Sequence, residues 1–179
     1  MKPEVSVSRL GGLTHHGEEQ VPFLFDLYRQ FYGYPTDIAG VRRFLIANLA
    51  EPQVLFAVAR IEGIAVGFLQ AYVIPNSLTM NRLAVINDLF VDPAYRRYSC
   101  GRALLRFAQE QLVVMDVDRL ELSTAVSNQA AQALYRSEGW SLDAEFGLYR
   151  KCSGFGPHGA RLNPPQKKRM AVPKVSAWR

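Results

Sequence analysis

The spacing of apolar side chains along the chain alternates between a helical and a strand period, and the changes mark out its elements. Residues 5–10 alternate apolar and polar side chains and stop at Gly11-Gly12, as a short edge strand would. Over 18–32, Val21, Leu24, Phe25, Tyr28, Phe31 and Tyr32 recur every three or four residues, which predicts one helical stripe. Gly33-Tyr34-Pro35 breaks that stripe. Thr36 is placed to cap a second helix that buries Val41, Phe44, Leu45 and Leu49.

Residues 54–61 and 64–74 are dense in β-formers on either side of Glu62-Gly63, the signal of an antiparallel hairpin. A further strand over 84–91 is ended by Asp92-Pro93, because proline cannot extend a ladder. Helical spacing returns over 101–115 with Leu104, Leu105, Phe107, Ala108 and Leu112, followed by a short strand over 119–123. A last helix over 128–138 has Gly139 placed as its C-terminal cap, and two strands over 140–143 and 146–150 are predicted to complete the sheet. The order β-α-α-β-β-β-α-β-α-β-β predicts a mixed α/β fold, a sheet flanked by helices. No repeat is visible. One domain over 1–150 is expected, then a basic tail over 151–179 with no apolar period, which predicts disorder there.

Composition changes this picture little. With 49% hydrophobic and 21% charged residues the chain is ordinary for a globular domain. Its net charge of +5 comes from the tail, where Lys151, Arg161, Lys167, Lys168, Arg169, Lys174 and Arg179 meet no acid, leaving 14 basic against 16 acidic residues in the first 150. The body is mildly acidic. A nucleic-acid or acidic-membrane tether through Lys167-Lys168-Arg169 is the reading the tail invites, but it lacks interleaved aromatics and any base-reading module, which argues against nucleic acid. Two cysteines, Cys100 and Cys152, show no metal or disulfide spacing, which points to a reducing, cytoplasmic setting. No apolar run is long enough to span a bilayer and no export leader is apparent, so neither membrane anchoring nor export is expected. His15 and His16 beside Glu18 and Glu19 lack a spaced third ligand, so they read as a solvated loop and no metal is expected.

The segment from Asn87 to Leu105 carries the chemistry: strand, basic turn, helix start. The first main-chain N–H groups of a helix lack internal partners and the helix dipole adds partial positive charge, so such a start binds a diphosphate. Arg96, Arg97 and Arg102 add full charges. A solvated connection whose arginines face water is the plainer alternative. In the same turn, Cys100 at a helix start is expected to have a lowered thiol pKa.

Two motifs raise the functional reading. Val91-Asp92-Pro93 followed by Arg96-Arg97-Tyr98-Ser99-Cys100-Gly101 resembles the acetyl-CoA-binding signature of the GNAT (Gcn5-related) N-acetyltransferase superfamily, Arg/Gln-x-x-Gly-x-Gly/Ala after a V-x-P strand end, matching at Arg96 and Gly101. Ser99 stands where that pattern has its first glycine, which puts acetyl-CoA affinity in question. Downstream, Asn128-Gln129-Ala130-Ala131-Gln132-Ala133-Leu134-Tyr135-Arg136-Ser137-Glu138-Gly139-Trp140 is similar to the family helix N-x-x-A-x-x-L-Y-x-x-x-G-F/W.

The resemblance implies a mixed, mostly antiparallel sheet of six to seven strands with four helices, and transfer of acetyl from acetyl-CoA to an amine. It implies that the strand carrying Leu89, Phe90 and Val91 splays from its neighbour to pair with the pantetheine arm, that Arg96 to Arg102, including Tyr98, Ser99 and Cys100, receive the diphosphate, and that Asn128 contacts the pantetheine. Tyr135 is then the general acid near sulfur; the plainer alternative is that Tyr135 is a core aromatic and Asn128 a helix N-cap. For the base, Asn87 occupies the position of a frequent family glutamate, and either Asn87 holds a relaying water or Asp88 serves through a bulge. Asp88 as a structural carboxylate stays open, with Glu145 as a third candidate. Acidic Asp88, Asp143 and Glu145 favour a small cationic, polyamine-like amine or a basic peptide lysine. The aromatic stretch 23–35 resembles the acceptor-side wall of family members. An aminoglycoside, an amino acid or a catalytically weak CoA-binding module are the competing readings, and a homodimer is left open.

Overall fold

The computed structural model describes residues 3–13 and 18–149. His15, His16, Cys152 and the predicted tail over 151–179 lie outside the described residues. Two compact units are distinguished, Met1–Trp140 and Ser141–Arg179.

The first unit contains β1 (Val5–Arg9), α1 (Val21–Phe31), α2 (Ile38–Leu49), β2 (Val54–Ile61), β3 (Ile64–Asn76), β4 (Asn81–Val91), α3 (Cys100–Val114), β5 (Val117–Leu122) and α4 (Gln129–Ser137), with 3-10 turns at Glu18–Gln20 and Pro93–Tyr95. The strands form one sheet in the order β1-β2-β3-β4-β5. The first three pairings are antiparallel and β4 pairs with β5 in parallel, with α3 as the crossover. At the β2–β3 hairpin both Glu62 and Gly63 take positive φ, 51° and 79°, the backbone a two-residue turn needs to follow the strand twist.

Each face of the sheet buries its own cluster. Leu104, Leu105, Ala108 and Leu112 of α3 pack on Leu55, Ala57, Ala59, Leu69, Ala71, Ala84 and Ile86, where the alanines let the helix come close. Leu24 and Phe25 of α1 and Val41 and Leu45 of α2 cover Phe56, Val58, Phe68 and Phe90 on the other face. Strand periodicity dictates this division, with one interruption. Gln70 pairs with Asp88 and Ala71 with Ile86, so Asn87 is an extra residue in β4. A one-residue bulge reverses which parity faces which side. Ala84 and Ile86 therefore point at α3, whereas Phe90, also even-numbered, points at α1.

Asp37, not Thr36, caps α2, accepting from the Gly40 N–H at 2.8 Å, because the Thr36 hydroxyl is drawn to Asp26 instead. The sheet has five strands among the described residues, not six or seven. In the second unit, Asp143 Oδ1 accepts from the N–H groups of Glu145 and Phe146 at 2.8 and 2.9 Å, which folds the chain into a turn where strands over 140–143 and 146–150 were predicted.

Candidate active site

The site begins where β4 leaves β5. Their parallel ladder runs from Arg82–Val117 to Ile86–Leu122, yet β4 continues to Val91, so residues 87–91 extend beyond the last β5 pair. The bulge falls at the same point. It turns Asp88 toward α1, where the carboxylate is buried and accepts from the Tyr28 hydroxyl at 2.5 Å and from Asn87 Nδ2 at 3.0 Å. Asn87 itself is exposed. Burial, reinforced by the hydrogen bond and charge of Asp88, pushes the Tyr28 hydroxyl above the ordinary tyrosine range, so it stays a donor. Around this pair stand the rings of Phe68, Phe90 and Tyr32, with centroids 5.4, 5.6 and 5.1 Å from that of Tyr28.

Beyond β4, Asp92 caps the 3-10 turn by accepting from the Ala94 N–H at 2.9 Å. The chain then passes through two non-glycine residues with positive φ, Arg97 at 69° and Ser99 at 66°. Ser99 precedes α3 without a side-chain cap, and the first helical bond runs from Ala103 N–H to the Ser99 carbonyl at 3.0 Å. The N–H groups of Cys100, Gly101 and Arg102 therefore come before any intrahelical acceptor. A Cβ on Gly101 would lie 3.2 Å from Leu134 Cδ2, so glycine here lets α4 approach the start of α3.

The arginines of this turn diverge. Arg96 donates to the Val91 carbonyl at 3.4 Å and lies over the Phe31 ring, 5.7 Å from its centroid, while Arg97 is exposed. Arg102 pairs with Glu138, the residue that ends α4, at 2.9 Å and donates to the Ser137 hydroxyl at 3.2 Å. It fastens α3 to α4. Burial pushes the Cys100 thiol up, slightly offset by a backbone hydrogen bond, which reverses the expectation of a lowered pKa. The helix start does not expose it, since Cys100 packs inward against the core beneath α3.

On α4, Asn128 Oδ1 accepts from the Ala131 N–H at 3.3 Å and Nδ2 donates to Thr124 Oγ1 at 3.2 Å, so this side chain caps the helix. At the other end, Gly139 at φ 83° lets its N–H reach the Arg136 carbonyl at 3.1 Å and the Trp140 N–H reach the Tyr135 carbonyl at 3.0 Å. That reversal brings the Trp140 ring to 6.3 Å from Tyr135, which it helps to fix. Burial raises the Tyr135 hydroxyl pKa, with Tyr32 adding to it; burial raises that of Tyr32, with Asp88 adding. Tyr32 thus shares a field with both proposed catalytic groups.

The model of the Acetyltransferase (GNAT) family matches residues 21–140. The chain belongs to this family. GNAT proteins draw on acetyl-CoA, and the chain is an acetyl-CoA-dependent N-acetyltransferase. It is 34% identical over 126 residues to the uncharacterized N-acetyltransferase YhfO of Bacillus subtilis (strain 168), covering 70% of this chain and 85% of that protein. An aminoalkylphosphonate N-acetyltransferase of Salmonella typhimurium is 27% identical, with 72% and 83% covered. A crystal structure of a probable acetyltransferase superposes with a TM-score of 0.72 at 28% identity, covering 83% of this chain and 97% of the other.

Within this GNAT frame, β4 gathers Asn87, Asp88, Leu89, Phe90 and Val91, and the turn carrying Arg96 to Gly101 follows directly. Glu145 belongs to the second unit. The residues that sequence reasoning missed are on α1. Tyr28 was assigned to the core stripe, and only the partner 60 positions away distinguishes it from its neighbours. Asp26 had a legible signal, since an acid inside an apolar helical stripe calls for donors. Among the described residues no cluster of three or more His, Cys, Asp and Glu is placed to hold a metal ion, and no helix is long and apolar enough to cross a membrane.

Proposed function

We propose that the acceptor is the primary amine of a small cationic, polyamine-like molecule or of a basic peptide lysine, and that Asp88 receives it. One observation carries this reading: a buried carboxylate, held by Tyr28 and Asn87 at the bulge where β4 leaves β5 and ringed by aromatic side chains. A carboxylate among aromatic faces attracts an ammonium and is a base for its proton.

In the proposed cycle the main chain of Leu89, Phe90 and Val91, beyond the last β5 pair, bonds the pantetheine amides of acetyl-CoA. The N–H groups of residues 99–102, with Arg96 and Arg97, receive the diphosphate. Asp88, directly or through a water on Asn87, takes a proton from the acceptor ammonium. The freed nitrogen lone pair attacks the thioester carbonyl carbon, a main-chain N–H steadies the oxyanion, and the C–S bond breaks as the carbonyl re-forms. Tyr135, kept protonated by burial, supplies the proton to the departing thiolate, and the second proton that the nitrogen sheds as the amide forms returns through water to the tyrosinate. The aminoalkyl acceptor in the name of the Salmonella relative supports a small amine.

The test is thiol release from acetyl-CoA with linear diamines, amino acids, an aminoglycoside and lysine peptides, the products identified by mass. Release with diamines or lysine peptides that is lost in Asp88→Ala supports the proposal. Tight CoA binding with no turnover on any amine supports a CoA-binding module in its place.

A further inference from the structure

Asp26 sits within α1, is 1% exposed, and has no place in the cycle above. A buried carboxylate is tolerated only when donors surround it. Asp26 has four. Oδ1 accepts from Arg29 Nη1 at 3.1 Å and the Asp37 N–H at 2.9 Å, and Oδ2 accepts from Gln30 Nε2 at 2.8 Å and Thr36 Oγ1 at 2.6 Å. Two donors lie one turn along the same helix. The other two come from beyond the turn that joins α1 to α2, so a single carboxylate clamps both ends of that turn.

The clamped segment is built to hold its shape. Gly33 at φ 84° reverses the end of α1, bonding its N–H to the Gln30 carbonyl at 2.9 Å and the Tyr34 N–H to the Arg29 carbonyl at 3.1 Å. Arg29 spans the turn, donating to the Pro35 carbonyl at 3.2 Å and lying 5.7 Å from the Tyr34 ring centroid. At the start of this segment stands Tyr32, 62% exposed, its ring edge-on to Tyr28, whose hydroxyl holds Asp88. Such an aromatic beside a carboxylate offers an ammonium a cation–π face.

We propose that Asp26 is a positioning residue for the acceptor amine, fixing the 32–37 turn so that Tyr32 is presented beside Asp88, without itself touching the substrate. This rests on the reading of Asp88 as the acceptor-side base. The helix that follows the diphosphate turn, α3, packs on the opposite face of the sheet, and that turn meets α1 at Phe31, under Arg96 and ahead of the clamped 32–37 segment, so acetyl-CoA affinity is expected to change little when the clamp is loosened.

Thr36→Val removes one donor while keeping the side-chain shape, Asp26→Asn removes the charge, and Thr36→Ser restores the hydroxyl. In the full chain, Thr36→Val and Asp26→Asn are expected to quicken hydrogen exchange across 32–37 and to raise the KM for a linear diamine about tenfold, roughly the loss of one charge-assisted bond. The kcat and the acetyl-CoA affinity by calorimetry stay within about twofold, and Thr36→Ser behaves as wild type. A diamine KM unchanged in both folded variants overturns the proposal, as does acetyl-CoA affinity falling in step with it. Failure of the wild-type protein to acetylate any diamine or lysine peptide would sink the acceptor reading and this proposal together, and would be seen before any substitution is made.

Discussion

The hydroxyl of Tyr28 donates to Oδ1 of Asp88 at 2.5 Å, joining the middle of α1 to the bulge in β4 across 60 residues of sequence. Neither residue can be moved alone. The ring of Tyr28 is wedged among Phe25, Phe68 and Phe90, and Asp88 owes its direction to the extra residue Asn87.

Tyr28→Phe keeps those ring contacts and deletes only the bond to the carboxylate. Hydrogen bonds to charged groups contribute about 1.5–3 kcal/mol, so kcat/KM for the amine is expected to fall about 10- to 150-fold with acetyl-CoA affinity unchanged. Steady-state kinetics beside calorimetry check this. An unaltered kcat/KM would make Tyr28 a packing residue only.

Tyr135→Phe leaves the ring against Trp140 and removes the proton. The expected result is a fall in kcat of about 10²- to 10⁴-fold, the usual contribution of a general acid, with acetyl-CoA binding little changed. Parallel losses in turnover and binding would contradict the acid role.

Ser99 adopts φ 66°, a left-handed conformation that costs an L-residue about 1–2 kcal/mol. Ser99→Gly should raise the melting temperature by a few degrees, about 2–4 °C per kcal/mol for a chain of this size. It should tighten acetyl-CoA or leave its affinity unchanged. A marked loss of affinity would mean that the serine hydroxyl is itself a ligand.

Asp26 predicts an acid-sensitive fold. Burial alone would raise its pKa, but the bonds from Thr36, the Asp37 N–H, Gln30 and Arg29 outweigh it and leave it lowered. A depressed folded pKa contributes stability that is fully present above the unfolded value of about 3.9 and is lost as pH falls through the folded value. The melting-temperature gap between wild type and Asp26→Asn should therefore be widest near neutrality and narrow on acidification below about pH 4. A gap independent of pH would show that the charge contributes nothing.

Local signals made most of the architecture legible. The period-3.6 stripes of α1, α2 and α3, the Glu62-Gly63 turn and the Gly139 reversal all encode themselves within a few residues, and the structure has them near their predicted places. Long-range bonding is what sequence could not supply. Asn87 as the bulge residue emerges only from the β3–β4 register, Thr36 was free to be a cap until Asp26 claimed its hydroxyl, and Arg102 was an anion ligand until Glu138 faced it. Strands over 140–143 and 146–150 were expected to complete the sheet, but Leu142 and Phe146 are exposed at 85% and 80%, and Asp143 turns the chain between the two stretches. A strand needs a buried face to pack on.

In the proposed cycle acetyl-CoA docks its diphosphate on the main-chain N–H groups at the start of α3, and every later step follows from that. Calorimetric titration of acetyl-CoA into the folded chain measures this directly. Saturable binding at one site per chain is expected, weakened by Arg97→Ala and lessened at high salt, as exposed charge contacts are. Absence of any binding heat over a range of temperatures, with the protein demonstrably folded, would contradict it.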